Sequence, residues 1–224
     1  EGFRMMKERI DDRLYLEKVE KIGAICKDLG VLVPVSFWQF KVEGGEEVSF
    51  VSQSFTNNAR RLMASVALNY PLSQSVAGIE LRVRTLANTL IDLTSAQLSR
   101  DIARGGATVT IMGIVVGSSN VAENPEHASL QALIPNGVGA GQVEYQAEHD
   151  FSVVNNVGLA RLEVTQSRRF LNNSGATIPV NEVGLYINDA GNNFMIIRDQ
   201  LPATVNIPHA GQLTVTLLKT VPNW

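Results

Sequence analysis

Residues 151–219 read FSVVNNVGLA RLEVTQSRRF LNNSGATIPV NEVGLYINDA GNNFMIIRDQ LPATVNIPHA GQLTVTLLK. Apolar and polar residues alternate in runs that restart about every ten residues, the spacing of strands in an all-β domain. The runs are separated by Asn155-Asn156, Asn172-Asn173-Ser174-Gly175, the segment 188–193, Pro202, and Pro208 to Gly211. Asn and Gly tolerate the positive φ angles of tight turns. The pattern predicts an antiparallel β-sandwich or jelly-roll-like domain.

The side-chain alternation also predicts which residues face the core. In the strand predicted across residues 161–170, the odd positions 161–169 form one polar face. Side chains two apart in a strand share a face, so the apolar positions should point inward. The predicted inward residues are Leu162, Val164, Val183, Leu185, Ile196, Val215 and Leu217.

Composition limits the classes of function. The chain has 224 residues, 45% of them hydrophobic, which is enough for a sizeable core. Its 22 acidic and 19 basic residues give a net charge of −3, so we expect no broad positive field and no nucleic acid as principal ligand. No apolar run approaches the ~20 residues that cross a bilayer, and no signal-peptide pattern opens the sequence. We therefore expect no membrane partner. The single cysteine, Cys26, is expected to be a small buried hydrophobe in a reducing setting.

Residues 1–30 predict an N-terminal helical arm. Residues 1–28 contain fourteen charged side chains, seven of each sign. Apolar residues recur mostly every three or four positions, the spacing of one helix face, and Gly30 suits a helix C-cap. This stripe could pack on its own domain or on a neighbouring subunit. Under the second reading the subunit contact is made by Phe3, Met6, Ile10, Leu14, Val19 and Ile22.

Residues 31–224 predict the β-sandwich domain. Gly44-Gly45, between two alternating runs, indicates a β-hairpin. Ser54 or Thr56 could cap a helix near 57–69, before Pro71. Residues 76–116 return to strand, with a central strand over 109–116, while 86–104 suit either a helix or two short strands. From residue 105 onward the chain has thirteen Asn and twelve Gly but one Lys, so a sub-boundary is placed near 105.

Three patterns that could bind a ligand have simpler interpretations. His127, His149 and His209 do not have the spacing of a known metal motif. The glycine-rich segment 137–141 resembles a phosphate cradle, but it lacks the following helix and the Lys-Ser/Thr, which favours a turned loop. Segment 188–193 does not match an EF-hand loop, and we expect a hairpin turn there. No cofactor and no metal are expected.

Acidic residues could supply a catalytic pair. Glycoside hydrolysis uses two carboxylates at a defined separation. The sequence brings no two of the acidic residues to such a separation, and solvated loops account for them. They are Glu123, Glu126, Glu144, Glu148 and Asp150. No catalytic residue is assigned, and the protein is not expected to be an enzyme.

One pair of charges lies within apolar strands. Glu182 follows Val180-Asn181, and Arg198 follows Ile196-Ile197 on the next predicted strand. A short turn would place the two strands side by side, and a half-buried charge is tolerated when it is paired. The sequence therefore predicts a structural ion pair between Glu182 and Arg198, with a catalytic role as the weaker alternative.

Several short motifs together resemble uncharacterised virion proteins of tailed bacteriophages. They are FLNNSG at 170–175, VNEVGLY at 180–186, FMIIRDQL at 194–201 and GQLTVT at 211–216, with upstream matches QSFTNN at 53–58, IVVGSSN at 114–120 and GAGQ at 139–142. The resemblance covers residues 48–220. The long charged N-terminal helix departs from it.

The resemblance implies a non-enzymatic structural component of the virion, assembled in the host cytoplasm. It would form a symmetric homo-oligomer in the neck, collar, tail or baseplate, or on the head surface, and contact copies of itself and other virion proteins. It assigns no catalytic residue. An alternative function is a carbohydrate-binding module that recognises a host-surface glycan through loops at one end of the sandwich. The aromatic content of 6% disfavours this alternative.

Overall fold

The computed structural model describes residues 35–52, 55–61, 75–76, 79–80, 82–91, 104–157, 161–189 and 191–222. The predicted N-terminal arm, including its subunit-contact residues and Cys26, lies outside the described residues. So does the part of the predicted second helix after residue 61. No helix within the described ranges is long and apolar enough to cross a bilayer.

The protein is mainly β, with antiparallel sheets packed against each other. A short helix is described over 57–61. The strands are β1 (Val35–Val42), β2 (Glu47–Val51), β3 (Ser75–Val76), β4 (Ile79–Glu80), β5 (Val83–Arg84), β6 (Leu90–Ile91), β7 (Gly113–Gly117), β8 (Glu144–Tyr145), β9 (His149–Asn156), β10 (Arg161–Asn172), β11 (Ile178–Asp189), β12 (Asn192–Ile207) and β13 (Gly211–Pro222).

Two sheets form the sandwich. The large sheet has the order β2-β1-β13-β10-β8, and β9 pairs with β10 on the same side as β8. The small sheet has the order β12-β11-β7. The short strands β3 and β4 form one ribbon, and β5 and β6 form another. Every strand pair is antiparallel, so the predicted fold class is confirmed at this level.

The hydrophobic core lies between the two sheets. Residues of β1, β10 and β13 supply the large sheet's share, and β7, β11 and β12 supply the facing side. The main contributors are Trp38, Phe40, Phe170, Leu213, Val215, Leu217, Ile114, Val116, Val183, Leu185 and Ile197. Two polar bonds also join the sheets at Asp199. The Trp38 indole donates to Asp199 Oδ2 at 2.7 Å. The Ser52 hydroxyl donates to the same oxygen at 2.6 Å.

Four of the seven predicted inward residues are fully buried: Val183, Leu185, Val215 and Leu217. The other three are half-buried. Leu162 and Val164 lie near the start of β10, where β9 is the neighbouring strand and its valines are exposed. Ile196 has no cross-strand partner, because the register shifts between Leu185 and Tyr186.

Most of the predicted turns are present. Gly44, at φ +67°, lies in the β1–β2 hairpin, and Gly191, at φ +83°, lies in the β11–β12 hairpin. The break predicted at Pro202 is wrong, since β12 runs through it. Pro202 falls where the register shifts between Val180 and Glu182, and a proline without an N–H is tolerated at such a bulge. Asn155 and Asn156 are the last residues of β9 rather than a turn.

Two strand predictions in the first half need correction. Within the described residues of 76–104, each strand is two residues long or less, so no extended strand forms there. The strand predicted over 109–116 begins at Gly113 and lies at the end of the small sheet's order instead of its centre. Residues 106–112 form turns instead, and their carbonyl groups bind a buried arginine described below.

We expect Leu217→Ala to lower the free energy of unfolding by about 2–5 kcal/mol, because it opens a cavity in the core. Leu218→Ala is the matched control, since Leu218 is the next residue on β13, points to the opposite face and is half-buried. Its cost should be clearly smaller. Urea denaturation of both variants measures the difference, and equal losses would contradict the assigned faces.

Candidate functional site

Two buried charged groups dominate the polar chemistry of the described residues. The first, which we call the Glu182 centre, consists of Glu182 and Arg198. The second, the Arg168 centre, consists of Arg168, Glu148 and Tyr145. All five side chains are buried.

The Glu182 centre is the ion pair that the sequence predicts. Glu182 and Arg198 lie on the adjacent strands β11 and β12. Arg198 Nε and Nη2 donate to Glu182 Oε2 at 2.9 and 2.8 Å. Because both side chains are almost fully buried, each needs such a partner.

The Glu182 centre also attaches a long loop to the small sheet. The backbone N–H groups of Gln131 and Ala132 donate to the Glu182 carboxylate at 3.2 and 2.8 Å. On the other side, Arg198 Nη2 donates to the carbonyl of Val121 at 2.8 Å. The pair therefore contacts the start and the middle of the loop that follows β7. Its polar groups are used in these contacts, which supports a structural role over a catalytic one.

Neighbouring groups at the Glu182 centre are held in neutral forms. The Tyr186 hydroxyl accepts a hydrogen bond from the backbone N–H of Leu130 at 2.7 Å. Burial raises the pKa of Tyr186. Burial, assisted by the Arg198 cation, lowers the pKa of His127. Neither side chain is activated as a nucleophile or as a base by this environment.

The Arg168 centre was not anticipated from the sequence. The Arg168 side chain is fully buried, and its guanidinium donates to five backbone carbonyls. The acceptors are Gln146, Met112, Ile114, Gly106 and Val109, at 2.9, 3.1, 2.8, 2.7 and 2.7 Å. Its carbon Cζ lies 4.8 Å from the centre of the Tyr145 ring, a cation–π distance.

Glu148 supplies the negative charge of this centre. Its carboxylate accepts from the backbone N–H of Ile114 and from Gln166 Nε2, the latter at 2.7 Å. Burial raises the pKa of Glu148, while these two donors and the Arg168 cation oppose the rise. The expectation of a solvated loop at Glu148 is therefore wrong. Gly113, at φ +80°, allows this approach, since a Cβ there would lie 2.2 Å from Glu148 Oε1.

Tyr145 completes the Arg168 centre. Its hydroxyl donates to the carbonyl of Ile134 at 2.8 Å, and its ring packs edge-on against Phe170, with 4.9 Å between the centroids. Burial raises the pKa of Tyr145, so the phenol stays protonated. The centre thus joins β10, β8 and the turns before β7 through structural contacts.

The remaining acidic residues bond to separate parts of the chain. Glu126 accepts from Asn57 and Glu144 from Asn173. Glu123 accepts from the backbone N–H of Gln200 at 2.7 Å. Asp150 Oδ2 lies 3.3 Å from the Nε2 of the adjacent His149. These contacts do not arrange them as a carboxylate pair around a common substrate.

The other candidate ligand sites have structural contacts as well. Glycine-rich segment 137–141 is a turn closed by Gln142, whose side chain accepts from the backbone N–H of Gly139 at 2.9 Å. His209 Nδ1 accepts from the backbone N–H of Gly175 at 3.1 Å. Among the residues that the structure describes, no three His, Cys, Asp or Glu side chains are grouped to hold a metal ion.

A cavity of about 360 Å³ lies beside β12. It is lined by Phe50, Glu123, Asp199, Gln200, Leu201 and Pro202. Its two carboxylates already accept bonds from protein groups, Asp199 from Trp38 and Ser52 and Glu123 from Gln200. Both carboxylates therefore take part in structural hydrogen bonds.

A sequence signal for Arg168 existed. The odd positions of β10 were predicted to form the polar face, so Gln166 and Arg168, at even positions, should point inward with Phe170. Both are buried. The same rule applies to Lys219, which continues the inward series Leu213, Val215 and Leu217 on β13. No comparable pattern marks Glu148.

The chain matches no protein-family model, no curated protein and no solved structure. What it does must therefore be argued from its own residues.

We expect Arg168→Met to lower the free energy of unfolding by about 3–5 kcal/mol, because Glu148 and several carbonyls would lose a buried partner. The matched control is Arg169→Met, since Arg169 is exposed on the other face of the same strand. A change within about 0.5 kcal/mol is expected for the control. Chemical denaturation measures both, and a small effect of Arg168→Met would contradict the anchoring role.

Lys219 provides a test by pH. Burial lowers the pKa of Lys219 from 10.5 to about 8, although Glu148 acts in the opposite direction. Between about pH 8 and 10.5 the unfolded chain binds more protons at this residue than the folded chain does. The contribution of Lys219 to stability should therefore rise with pH in this window.

Lys219→Met should remove that rise, so the free energy of unfolding of the wild type should increase relative to that of the variant as the pH increases. Lys41→Met, at an exposed position on β1, is the control for replacing a strand lysine with methionine. Urea denaturation at a series of pH values provides the measurement. A constant difference for Lys219→Met would contradict the predicted titration.

Proposed function

We propose that this protein is a non-enzymatic structural component of a tailed-phage virion. It would act as a symmetric homo-oligomer in the neck, collar, tail or baseplate, or on the head surface, after assembly in the host cytoplasm. Other virion proteins would be its further partners. The jelly-roll-like arrangement and the N-terminal helical arm are part of this proposal.

The observation that carries the proposal is that the buried charged side chains make structural hydrogen bonds to the backbone. Glu182, Arg198 and Arg168 bond to backbone groups of the loops around the sandwich, and Glu148, which lies in a loop, bonds to the backbone of β7. Such bonds fix the loops on the sheets, as a rigid building block requires. The sequence motifs that resemble phage virion proteins give this building block its proposed setting.

Surface composition is consistent with repeated packing against neighbours. From residue 105 onward the chain has one Lys, Lys219, which is half-buried. Lysine is depleted at protein interfaces, and its long side chain loses entropy when it is immobilised. Short polar side chains such as Asn lose less. This favours a β-domain whose surface contacts other subunits.

The alternative function, glycan recognition, needs aromatic faces on which sugars can stack. Phe151 is the one aromatic residue among the exposed large hydrophobics in the described part of the chain. The guanidinium of Arg104 lies over its ring, with Cζ 5.7 Å from the centroid. A single covered ring is a poor sugar platform, so the structural function is preferred.

The experiment that tests the proposal is the mass of the purified full chain in solution, together with negative-stain images. Closed particles of uniform symmetry are expected. A monomer at every concentration would contradict the proposed homo-oligomer. Specific binding on a glycan array, with no assembly, would support the alternative.

We expect deletion of residues 1–28 to weaken assembly while leaving the sandwich folded. The predicted helix is about 40 Å long at roughly 1.5 Å per residue. A single small sandwich face covers such a length poorly, so another subunit is the expected neighbour. Light scattering measures assembly, and circular dichroism checks the fold. Unchanged assembly of the truncated chain would show that the arm is a buttress of its own domain.

A further inference from the structure

The edge strands of the two sheets differ in whether other segments hydrogen-bond to them. The edge of β12 receives a backbone hydrogen bond from Thr56, which donates to the carbonyl of Ile196 at 3.1 Å. The edge of β7 receives one from Ile134, which donates to the carbonyl of Val116 at 3.0 Å. The backbone N–H of Thr108 bonds to the carbonyl of Tyr145 in β8 at 2.8 Å. Loops therefore cover these three edges.

The outer edge of β9 differs from these. Within the described part of the chain, β9 pairs with β10 alone. Phe151, Val153, Val154 and Val157 are exposed large hydrophobics. Val153 and Val154 are adjacent in the strand, so they present apolar surface on both faces of the sheet. An edge of this kind is a template for pairing with another strand.

The edge of β9 is protected at its start, where a bulge and the exposed Asp150 lie. Segment 151–157 contains no charged residue and no proline. By contrast, β2, at the opposite end of the large sheet, begins with the exposed Glu47 next to Glu46. Charges and prolines at an edge discourage pairing between sheets. On β9 the charges lie at its start, at Asp150, and over the Phe151 ring, at Arg104, while segment 151–157 carries none of its own.

A bulge limits the part of β9 that can pair. Asp150 has φ +54°, and the register with β10 shifts between Thr165 and Ser167. After the bulge, the pairing of Ser152 to Asn156 with β10 is regular. The regular edge that could accept a strand is therefore centred on Ser152 and Val153, with Phe151 and Val154 beside them.

We infer that this edge, at Phe151 to Val154, pairs with the same edge of a second copy of the chain. The two β9 strands run antiparallel about a two-fold axis perpendicular to the sheet, so that the large sheets of two subunits become continuous. The inference rests on the self-assembly in the proposed function and assigns it a contact surface.

A second copy fits this edge better than a charged partner does. An isologous contact must be compatible with itself, and an uncharged segment places no like charges opposite each other. When the two-fold axis passes near Ser152, Phe151 of one copy faces Val153 of the other, and Asp150 does not face itself. The backbone groups of each edge then satisfy those of the other, and the exposed valines are covered.

The test compares two double variants of the full chain. Val153→Lys with Val154→Lys places charges on the edge, where the valines are 57% and 49% exposed. Val121→Lys with Val138→Lys is the matched control, at valines that are 52% and 58% exposed outside any strand. Sedimentation equilibrium should show self-association weakened at least about tenfold by the edge variant, equivalent to about 1.4 kcal/mol, and unchanged by the control.

Cysteine cross-linking gives a second readout that does not depend on weakening. Single cysteines are placed at each position from 151 to 154 in a Cys26→Ser chain, with Ala140→Cys as the exposed control. Opposed residues near a two-fold axis in antiparallel strands are close enough for a disulfide. At least one edge position should give a covalent dimer under mild oxidation, and the control should not.

The outcomes separate the inference from the proposed function. If the wild type assembles, but the edge variant assembles equally well and no edge cysteine cross-links, the edge assignment is overturned and assembly stands. If the wild type is a monomer at every concentration, both are overturned. An intrachain disulfide to Cys26, in the chain that retains it, would show that the protein's own N-terminal segment occupies the edge, and would also overturn the inference. If the edge variant is unfolded by circular dichroism, the cross-link decides.

Discussion

The burial of the Arg168 guanidinium is the constraint on which much of the sandwich depends. A cation that is fully removed from water must have its N–H groups satisfied, and here five backbone carbonyls do so. Four of those carbonyls belong to residues 106–114 and one to Gln146. The turns before β7 and the segment after β8 must therefore adopt defined positions beside β10. Glu148, held against β7 by its bond from Ile114, brings the compensating charge to the same place.

The Glu182 centre applies the same principle on the small sheet. There the charged pair comes from adjacent strands, and its remaining hydrogen-bonding groups bind the loop between β7 and β8. Buried ion pairs are weak sources of net stability, but breaking one is costly, so they favour one arrangement over its competitors. Both centres thus attach irregular segments to regular sheets. Neither leaves an activated group facing a cavity, which is why the proposed function is structural.

Assembly depends on the edges of the sheets. A β-sandwich must prevent unwanted pairing at its edges, and here loops cover β7, β8 and β12 while glutamates flank β2. The apolar edge of β9 departs from this rule. A virion component that repeats around a symmetry axis needs a self-associating surface of this kind. In a monomer the same surface would promote aggregation through strand pairing. The edge and the predicted N-terminal arm would be two separate contacts in such an assembly.

The sequence by itself determined the strands from residue 161 onward, most of their turns and the meeting of Glu182 with Arg198. These features are local: alternation has a period of two, Asn and Gly mark turns, and a short hairpin brings adjacent strands together. Alternation also implied that Arg168 points inward, although it could not identify the partners of that side chain. Those partners come from residues 22 to 62 positions earlier, and only the tertiary structure brings them together. Long-range packing likewise decided three other features: the burial of Glu148, the place of β7 at the end of its sheet and the passage of β12 through Pro202. Each depends on which distant segment packs beside the residue, and the residue's own neighbours in the chain do not determine that.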